Sequence, residues 1–495
     1  MSTTVPVPAD SGHEVRLAVI NGLKLGLSLL GTVLVSLGLN IWLPRTLGPQ
    51  QFGQLNFAEA LATALFAFTT FGIDTYIRKE VAHRPEHASD FYAGFVLLRL
   101  GASVLVLLLM AAILGWMGRD AVVWRLSFLY AGSQICLLLN FSESALLQAI
   151  GRVNEMAWAN VLSKIFWAGS VFLALAWGAP LESVAACLFV SEALKAGYLT
   201  YVTHRSLKLR WRLDMVATWA VIVASFPYFI NNIAHRTYEQ LNKTILGTMT
   251  DDLEVGWYAG SVRLAGISLL FIPIVQAVVI PMASRMKQQS EEAMNAVMRG
   301  AQRLVLVAGV LMGMMLVLHT EPVIHYTLGR NFGPSALSLQ VLAPMFALTY
   351  MAVLGAVHLI QLDKVWVMIR VSVAALIFNP LLNIPFISWG YRLGPGYAGA
   401  MSALSSVITE ALNAGIIFAV LGRRAIDRAL LRCLALTGLI CGVVVALHGQ
   451  LVALALWRIP IEVVVFLGLA VVTGALPLAD VLQLMRNAPR RGAKS

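Results

Sequence analysis

Runs of about 20 apolar residues, each long enough to cross a ~30 Å hydrocarbon core as a helix, recur along nearly the whole chain with short polar breaks between them. The pattern predicts about fourteen spans. The first six lie near 17–43, 54–76, 91–116, 123–150, 156–177 and 181–202, and a seventh and eighth occupy the stretch up to about 282. Further spans follow near 304–318, 337–360, 366–389, 396–421, 435–455 and 459–478. The apolar runs are continuous rather than alternating, which excludes a transmembrane β-barrel. Between the eighth and ninth spans, 288–299 has the pattern of an amphipathic helix lying on the membrane surface.

Composition agrees with this reading. Over 495 residues the chain is 59% hydrophobic and 12% charged, with a mean hydropathy of +0.77, as expected of an all-α polytopic membrane protein. A net charge of +11 raises the question of nucleic acid, but the distribution of the charge answers it. About two-thirds of the 36 lysines and arginines fall in alternate loops, on the side of the N-terminus. That bias predicts cytoplasmic N- and C-termini and excludes a nucleic-acid surface. The four cysteines lie within or at the ends of spans and give no disulfide framework or metal spacing. The polar start lacks the short apolar core and cleavage site of a removable signal peptide.

A basic linker at 204–215, with Arg205, Lys208, Arg210 and Arg212, divides the chain. The predicted organisation is a cytoplasmic N-terminus (1–16), a six-helix bundle (17–203), the linker, a second six-helix bundle (216–421), two further helices (422–485) and a basic tail (486–495). Two weak internal echoes at offsets of about 200 residues support two halves related by an axis along the membrane normal. Leu47-Gly48 with Phe52-Gly53 resembles Leu246-Gly247 with Val255-Gly256, and the run from Leu147 to Arg152 resembles that from Ile360 to Lys364.

Candidate chemistry is concentrated in buried charge. Arg236, Glu239, Lys243 and Arg263 fall inside apolar runs, where a charge costs at least ~2.5–3.5 kcal/mol unless it meets water or a partner. Arg236 and Lys243 share a helical face, and Glu239 stands between them, so one reading is a self-satisfied ion-pair ladder. The functional reading adds Arg99, leaving cation in excess and a site for an anion; a guanidinium fork suits phosphate. Asp74 and Arg78 are one turn apart and read as a gate or a local pair, while Glu239 and Glu410 are candidates for ion coupling. Glu143, Lys164, Glu192 and Lys195 lie near span ends and are expected to snorkel. His235 and His358 read as satisfied bundle histidines. Asn231, Asn232, Tyr238, Asn242 and Tyr258 are candidate glycan contacts. There is no phosphate-binding Gly-rich motif, no His-Glu-x-x-His pair, and no long outer loop of the kind a membrane polymerase or ligase needs.

The ordered motifs Leu47-Gly48-Pro49-Gln50-Gln51-Phe52-Gly53, Phe71-Gly72-Ile73 with Arg78-Lys79-Glu80, Leu147-Gln148 through Gly151-Arg152, Tyr238–Lys243 with Leu246-Gly247, Val255-Gly256-Trp257-Tyr258 with Arg263, and 379–400 carry a family resemblance. Over roughly 17–421 the chain resembles the flippases that export lipid-linked O-antigen and exopolysaccharide units. They belong to the multidrug/oligosaccharidyl-lipid/polysaccharide exporter superfamily. The resemblance implies a V-shaped pair of six-helix bundles working by alternating access. It implies movement of an undecaprenyl-diphosphate-linked oligosaccharide between leaflets of a bacterial inner membrane, alongside polysaccharide polymerase and assembly proteins. No enzyme activity, metal or cofactor is expected, and H+, Na+ or the membrane potential could each drive transport. This chain departs from the family at Asn242, where an acid is frequent, so coupling through that position is in doubt. The alternatives are a drug/cation antiporter of the same superfamily, a membrane-embedded glycan polymerase or ligase, or a scaffold.

Overall fold

The computed structural model describes residues 11–476. Side chains over 11–37, at Asn40, Lys79 and Leu456, and across most of 227–239 lie outside the description. The helices in chain order are α1 (Ser11–Phe66), α2 (Ile73–Glu80), α3 (Ala88–Trp116), α4 (Ala121–Ala149), α5 (Val153–Ala176), α6 (Glu182–Leu207), α7 (Met215–Met249) and α8 (Asp252–Leu269). They continue as α9 (Ile272–Gln289), α10 (Glu291–Leu318), α11 (Thr320–Thr327), α12 (Ser335–Gln361), α13 (Val365–Leu393), α14 (Tyr397–Leu421), α15 (Arg428–Gln450) and α16 (Arg458–Val472). No strand occurs among the described residues, and nine helical stretches there are long and apolar enough to cross a membrane.

Most helices match the hydrophobic runs to within a few residues, and the exceptions have local causes. The first two runs form one helical assignment, α1, interrupted where Gly48 takes φ 70° and ψ 170° between Pro44 and Pro49. A glycine supplies the backbone angle, and proline at 49 supplies no N–H to continue the ladder. The second run breaks again at Phe71 and Gly72, both with positive φ, before α2 begins. At Gly72 a Cβ would stand 2.4 Å from Phe229 N and 2.7 Å from Ser225 O, so the chain thins where α7 passes. The surface helix expected at 288–299 is instead the start of α10, capped by the Ser290 side chain accepting from Ala293 N–H. Met294, Met298 and Ala301 pack against Val279, Ala283 and Tyr350 and draw this polar end into the core.

The chain divides into two compact units: Met1–Ile41 with Ala58–Thr237, and Trp42–Phe57 with Tyr238–Ser495. In the first, α6 packs along α4 and α5 through Leu147, Ala159, Leu199 and Val202, and α2 packs along α4 around Ile73, Ile77, Phe91, Phe95 and Leu146. In the second, α12 and α14 are central, flanked by α8, α10 and α13, with α15 and α16 against α10. Polar loops of the second unit gather at two ends. Lys287–Asp363 (3.0 Å), Arg424–Glu291 (2.7 Å) and Arg299–Asp427 (3.5 Å) tie one end. At the other, Arg45 donates to Tyr326 O (3.2 Å) and Trp257 Nε1 to Asn331 O (3.0 Å).

Candidate functional site

In the first unit, buried Asp74 and Glu192 each lie beside a cation, while buried Glu143 is held by hydroxyls. Asp74 lies in the first turn of α2 and Arg99 on α3 is only 2% exposed. The guanidinium donates to Asp74 Oδ1 (3.2 Å), Thr70 O (2.7 Å), Leu138 O (3.0 Å) and the Ser142 hydroxyl. Ser142 in turn donates to Asp74 Oδ1 at 2.6 Å. This corrects two expectations. Arg99 is neutralised within its own unit rather than being a surplus cation, and Asp74 pairs with Arg99 instead of Arg78. Arg78 is exposed and reaches Thr75 Oγ1 at 3.4 Å, since the Asp74 carboxylate is already occupied.

Glu143 and Glu192 likewise do not snorkel; both are buried, because a carboxylate stem is too short to reach the interface from there. Glu143 accepts from Tyr92 OH (2.5 Å) and Thr200 Oγ1 (3.4 Å). Glu192 accepts from Asn140 Nδ2 (2.7 Å) and lies 3.9 Å from Lys195 Nζ. Lys164 rests over the Trp167 ring at 4.8 Å.

In the second unit the buried polar groups form a largely neutral set. Asn242 of α7 donates to Ser406 Oγ (2.5 Å) and Tyr258 OH (3.4 Å), and its oxygen accepts from Asn383 Nδ2 (2.8 Å). Further along, Asn379 Nδ2 donates to Thr409 Oγ1 (3.4 Å), and Glu410, mostly buried, accepts from Asn413 Nδ2 (3.4 Å). Amides and hydroxyls thus join α7, α8, α13 and α14. Asn242 and Tyr258 are consumed inside this lattice, which corrects their reading as open glycan contacts. His358 Nε2 is bonded to Asn295 Oδ1 at 2.7 Å, while its Nδ1 is buried with no hydrogen-bond partner among the described residues, so the expectation of a satisfied bundle histidine holds for one ring nitrogen.

Two cations border this unit's interior. Lys243 follows Asn242 and is half-buried. Arg263, also half-buried in α8, lies 4.6 Å over the Phe52 ring and 3.5 Å from Asn56 Oδ1. A guanidinium on an aromatic face keeps its charge while shedding water. Nearby, the Glu254 carboxylate caps α14, accepting from the backbone N–H groups of Gly396 and Gly399, where the positive end of a helix dipole favours an anion.

The sequence echo has a physical basis here. A Cβ on Gly53 would stand 1.7 Å from Asp252 O, and one on Gly256 would stand 1.9 Å from Pro49 O. The two echoing segments therefore cross backbone to backbone, and each needs its glycine at the crossing. Arg236, Glu239, Asn231, Asn232 and Tyr238 lie on α7, with their side chains outside the described set. Sequence reasoning missed Ser142, Asn383 and Ser406, which complete the networks; a lone serine or asparagine within an apolar run gives little signal.

The model of a family described as polysaccharide biosynthesis protein matches residues 19–287. The Haloferax volcanii protein named probable low-salt glycan biosynthesis flippase Agl15 is 21% identical over 414 residues, covering 81% of this chain and 82% of that one. Among solved structures, the lipid II flippase MurJ in an inward closed conformation has a TM-score of 0.71 at 13% identity, covering 93% of this chain and 100% of that one. An inward-facing multidrug resistance MATE family transporter of the MOP superfamily has a TM-score of 0.63 at 14% identity, covering 79% and 93%. These two likenesses establish the fold.

Proposed function

Because the chain belongs to the polysaccharide biosynthesis protein family, as a multi-pass membrane protein of flippase-like kind, we propose that it carries an undecaprenyl-diphosphate-linked oligosaccharide from the cytoplasmic to the outer leaflet of a bacterial inner membrane. Both termini face the cytoplasm in this reading, in keeping with the loop charge bias. Arg236, Lys243 and Arg263 receive the diphosphate; Arg99, held by Asp74, leaves the set and acts in the scaffold. Asn231, Asn232 and Tyr238 contact the glycan, while the lipid tail stays in the bilayer. Arg78, Glu239 and Glu410 are the gating and coupling candidates.

The observation that carries the reading is the family match over 19–287, which spans the stretch holding all three cations. Electrostatics supports the direction. One charge crossing 100 mV is worth ~2.3 kcal/mol, so a doubly anionic headgroup leaving a negative interior gains roughly 4–5 kcal/mol. A drug/cation antiporter shares the fold, but it calls for an acidic cavity, whereas Asp74 is engaged with Arg99 and position 242 is an amide.

The test is reconstitution in liposomes carrying a fluorescent undecaprenyl-diphosphate oligosaccharide in both leaflets, with a membrane-impermeant reagent quenching the outer pool. Protein should bring the inner pool into reach, faster when the headgroup is driven towards the positive side. An inner pool that stays protected at all protein levels overturns the proposal.

A further inference from the structure

Far from the buried networks, three chemistry-bearing side chains meet where α10, α15 and α16 come together. His319 follows the last turn of α10, His448 sits in the last turn of α15, and Glu462 lies just over a turn into α16. His319 Nε2 is 2.7 Å from Glu462 Oε2, and His448 Nδ1 is 2.8 Å from Glu462 Oε1. The two rings meet edge to face, with centroids 5.2 Å apart. Glu462 and His319 are buried, and His448 is half-buried. Among the described residues, this is the one group of three or more such side chains whose ligand atoms lie within 4.8 Å of one another.

A buried carboxylate bridging two imidazoles needs an accounting of charge, since an anion in an apolar surround is costly unless paired. The same helices pack through an apolar cluster that includes Leu306, Val307, Ile440, Val444 and Phe466. The two helices that deliver the histidines both end here, so the negative ends of two helix dipoles point at the cluster and favour a cation. His319 Nδ1 is buried with no hydrogen-bond partner among the described residues. Arg458 stands one turn before Glu462 on the same helix face, a positive neighbour that direct ligation has to outweigh.

We propose that His319, His448 and Glu462 bind one divalent transition-metal ion of the zinc class, which fastens the α15–α16 pair to the end of α10. Two imidazole nitrogens and one carboxylate oxygen form a donor set that suits zinc and disfavours magnesium or calcium. Ligand distances of about 2.0–2.2 Å in a tetrahedral arrangement separate donor atoms by about 3.3 Å. The histidine already bonded to the ligating oxygen therefore moves from it by only about half an ångström, and the other ligand atoms, all within 4.8 Å of one another, draw in around the ion. Each neutral histidine moves its proton to the other ring nitrogen, Nδ1 in His319 and Nε2 in His448, and presents a lone pair to the ion. No proton is released from neutral rings, and one is released from any ring that starts protonated. The fourth position faces the half-exposed side of His448, where water completes the shell.

The experiment uses the full chain purified in detergent with a tag that contains no histidine. It is stripped with EDTA, equilibrated with zinc chloride, desalted and analysed for bound metal, with thermal midpoints recorded before and after. The expected result is one zinc per chain, a midpoint that rises with zinc and falls with EDTA, and no response to magnesium. His319→Gln with His448→Gln, and separately Glu462→Gln, should weaken zinc binding at least about tenfold. His448→Asn, at the half-exposed position, supplies a milder variant, and zinc titration of the unaltered protein depends on no variant at all. Absence of stoichiometric zinc on the unaltered protein, equal zinc on the double variant, or a midpoint indifferent to zinc overturns the proposal.

Discussion

Two buried regions, one in each unit, satisfy their polar side chains in different ways. The first pairs charge with charge, with Arg99 against Asp74 and Lys195 beside Glu192. The second joins neutral groups, Asn242, Tyr258, Asn383 and Ser406, and carries Lys243 and Arg263 at its margin. An ion pair cancels its own field, while an amide lattice satisfies hydrogen bonds and leaves a neighbouring cation's field in place. The contrast is the physical ground for proposing the anion site beside the second network and not beside the first.

The largest expected effect breaks the first half of the contrast. Asp74→Ala leaves the Arg99 guanidinium buried without its carboxylate, a loss of about 3–5 kcal/mol, read as a large fall in thermal midpoint in detergent. Replacing both, as Asp74→Asn with Arg99→Met, should cost less than Asp74→Ala alone, and that non-additivity is the diagnostic. Next, Gly53→Ala or Gly256→Ala forces apart two backbones already in contact, with a cost of about 1–3 kcal/mol or more, seen as poorer yield of monodisperse protein. Asn242→Leu strands Asn383 Nδ2, while Ser406 keeps its bond to Ser402 O, and should cost about 1–3 kcal/mol without changing the sign of the local field. The smallest effect on transport belongs to Lys195→Ala: its 3.9 Å pair with Glu192 is long and Glu192 keeps its bond from Asn140, so transport should fall by less than about twofold.

Much of this was legible before any coordinates. Continuous apolar runs located α3, α4, α5, α12, α13 and α14 closely, because a span needs length and little else. The break at Gly48 falls in the gap between the first two runs, whereas the break at Gly72 was less legible, because it lies inside a run where α7 passes and a hydropathy pattern does not register that. The Gly53 and Gly256 echo was visible as a repeat, but its cause, mutual crossing, needed three dimensions. Among candidate site residues, depth was read correctly for Arg99 and Asp74 while partnership was not, since their bond spans 25 residues and depends on Ser142 and Thr70. The histidines of α10 and α15 escaped notice because Glu462, their common partner, lies in a third helix.

The most direct test of the central claim is flipping of lipid-linked oligosaccharide by the Arg236→Ala, Lys243→Ala, Arg263→Ala triple variant in liposomes, beside the unaltered protein. The account predicts that the variant elutes as a folded monodisperse protein and brings none of the inner-leaflet pool into reach. Flipping at the unaltered rate by that variant contradicts it.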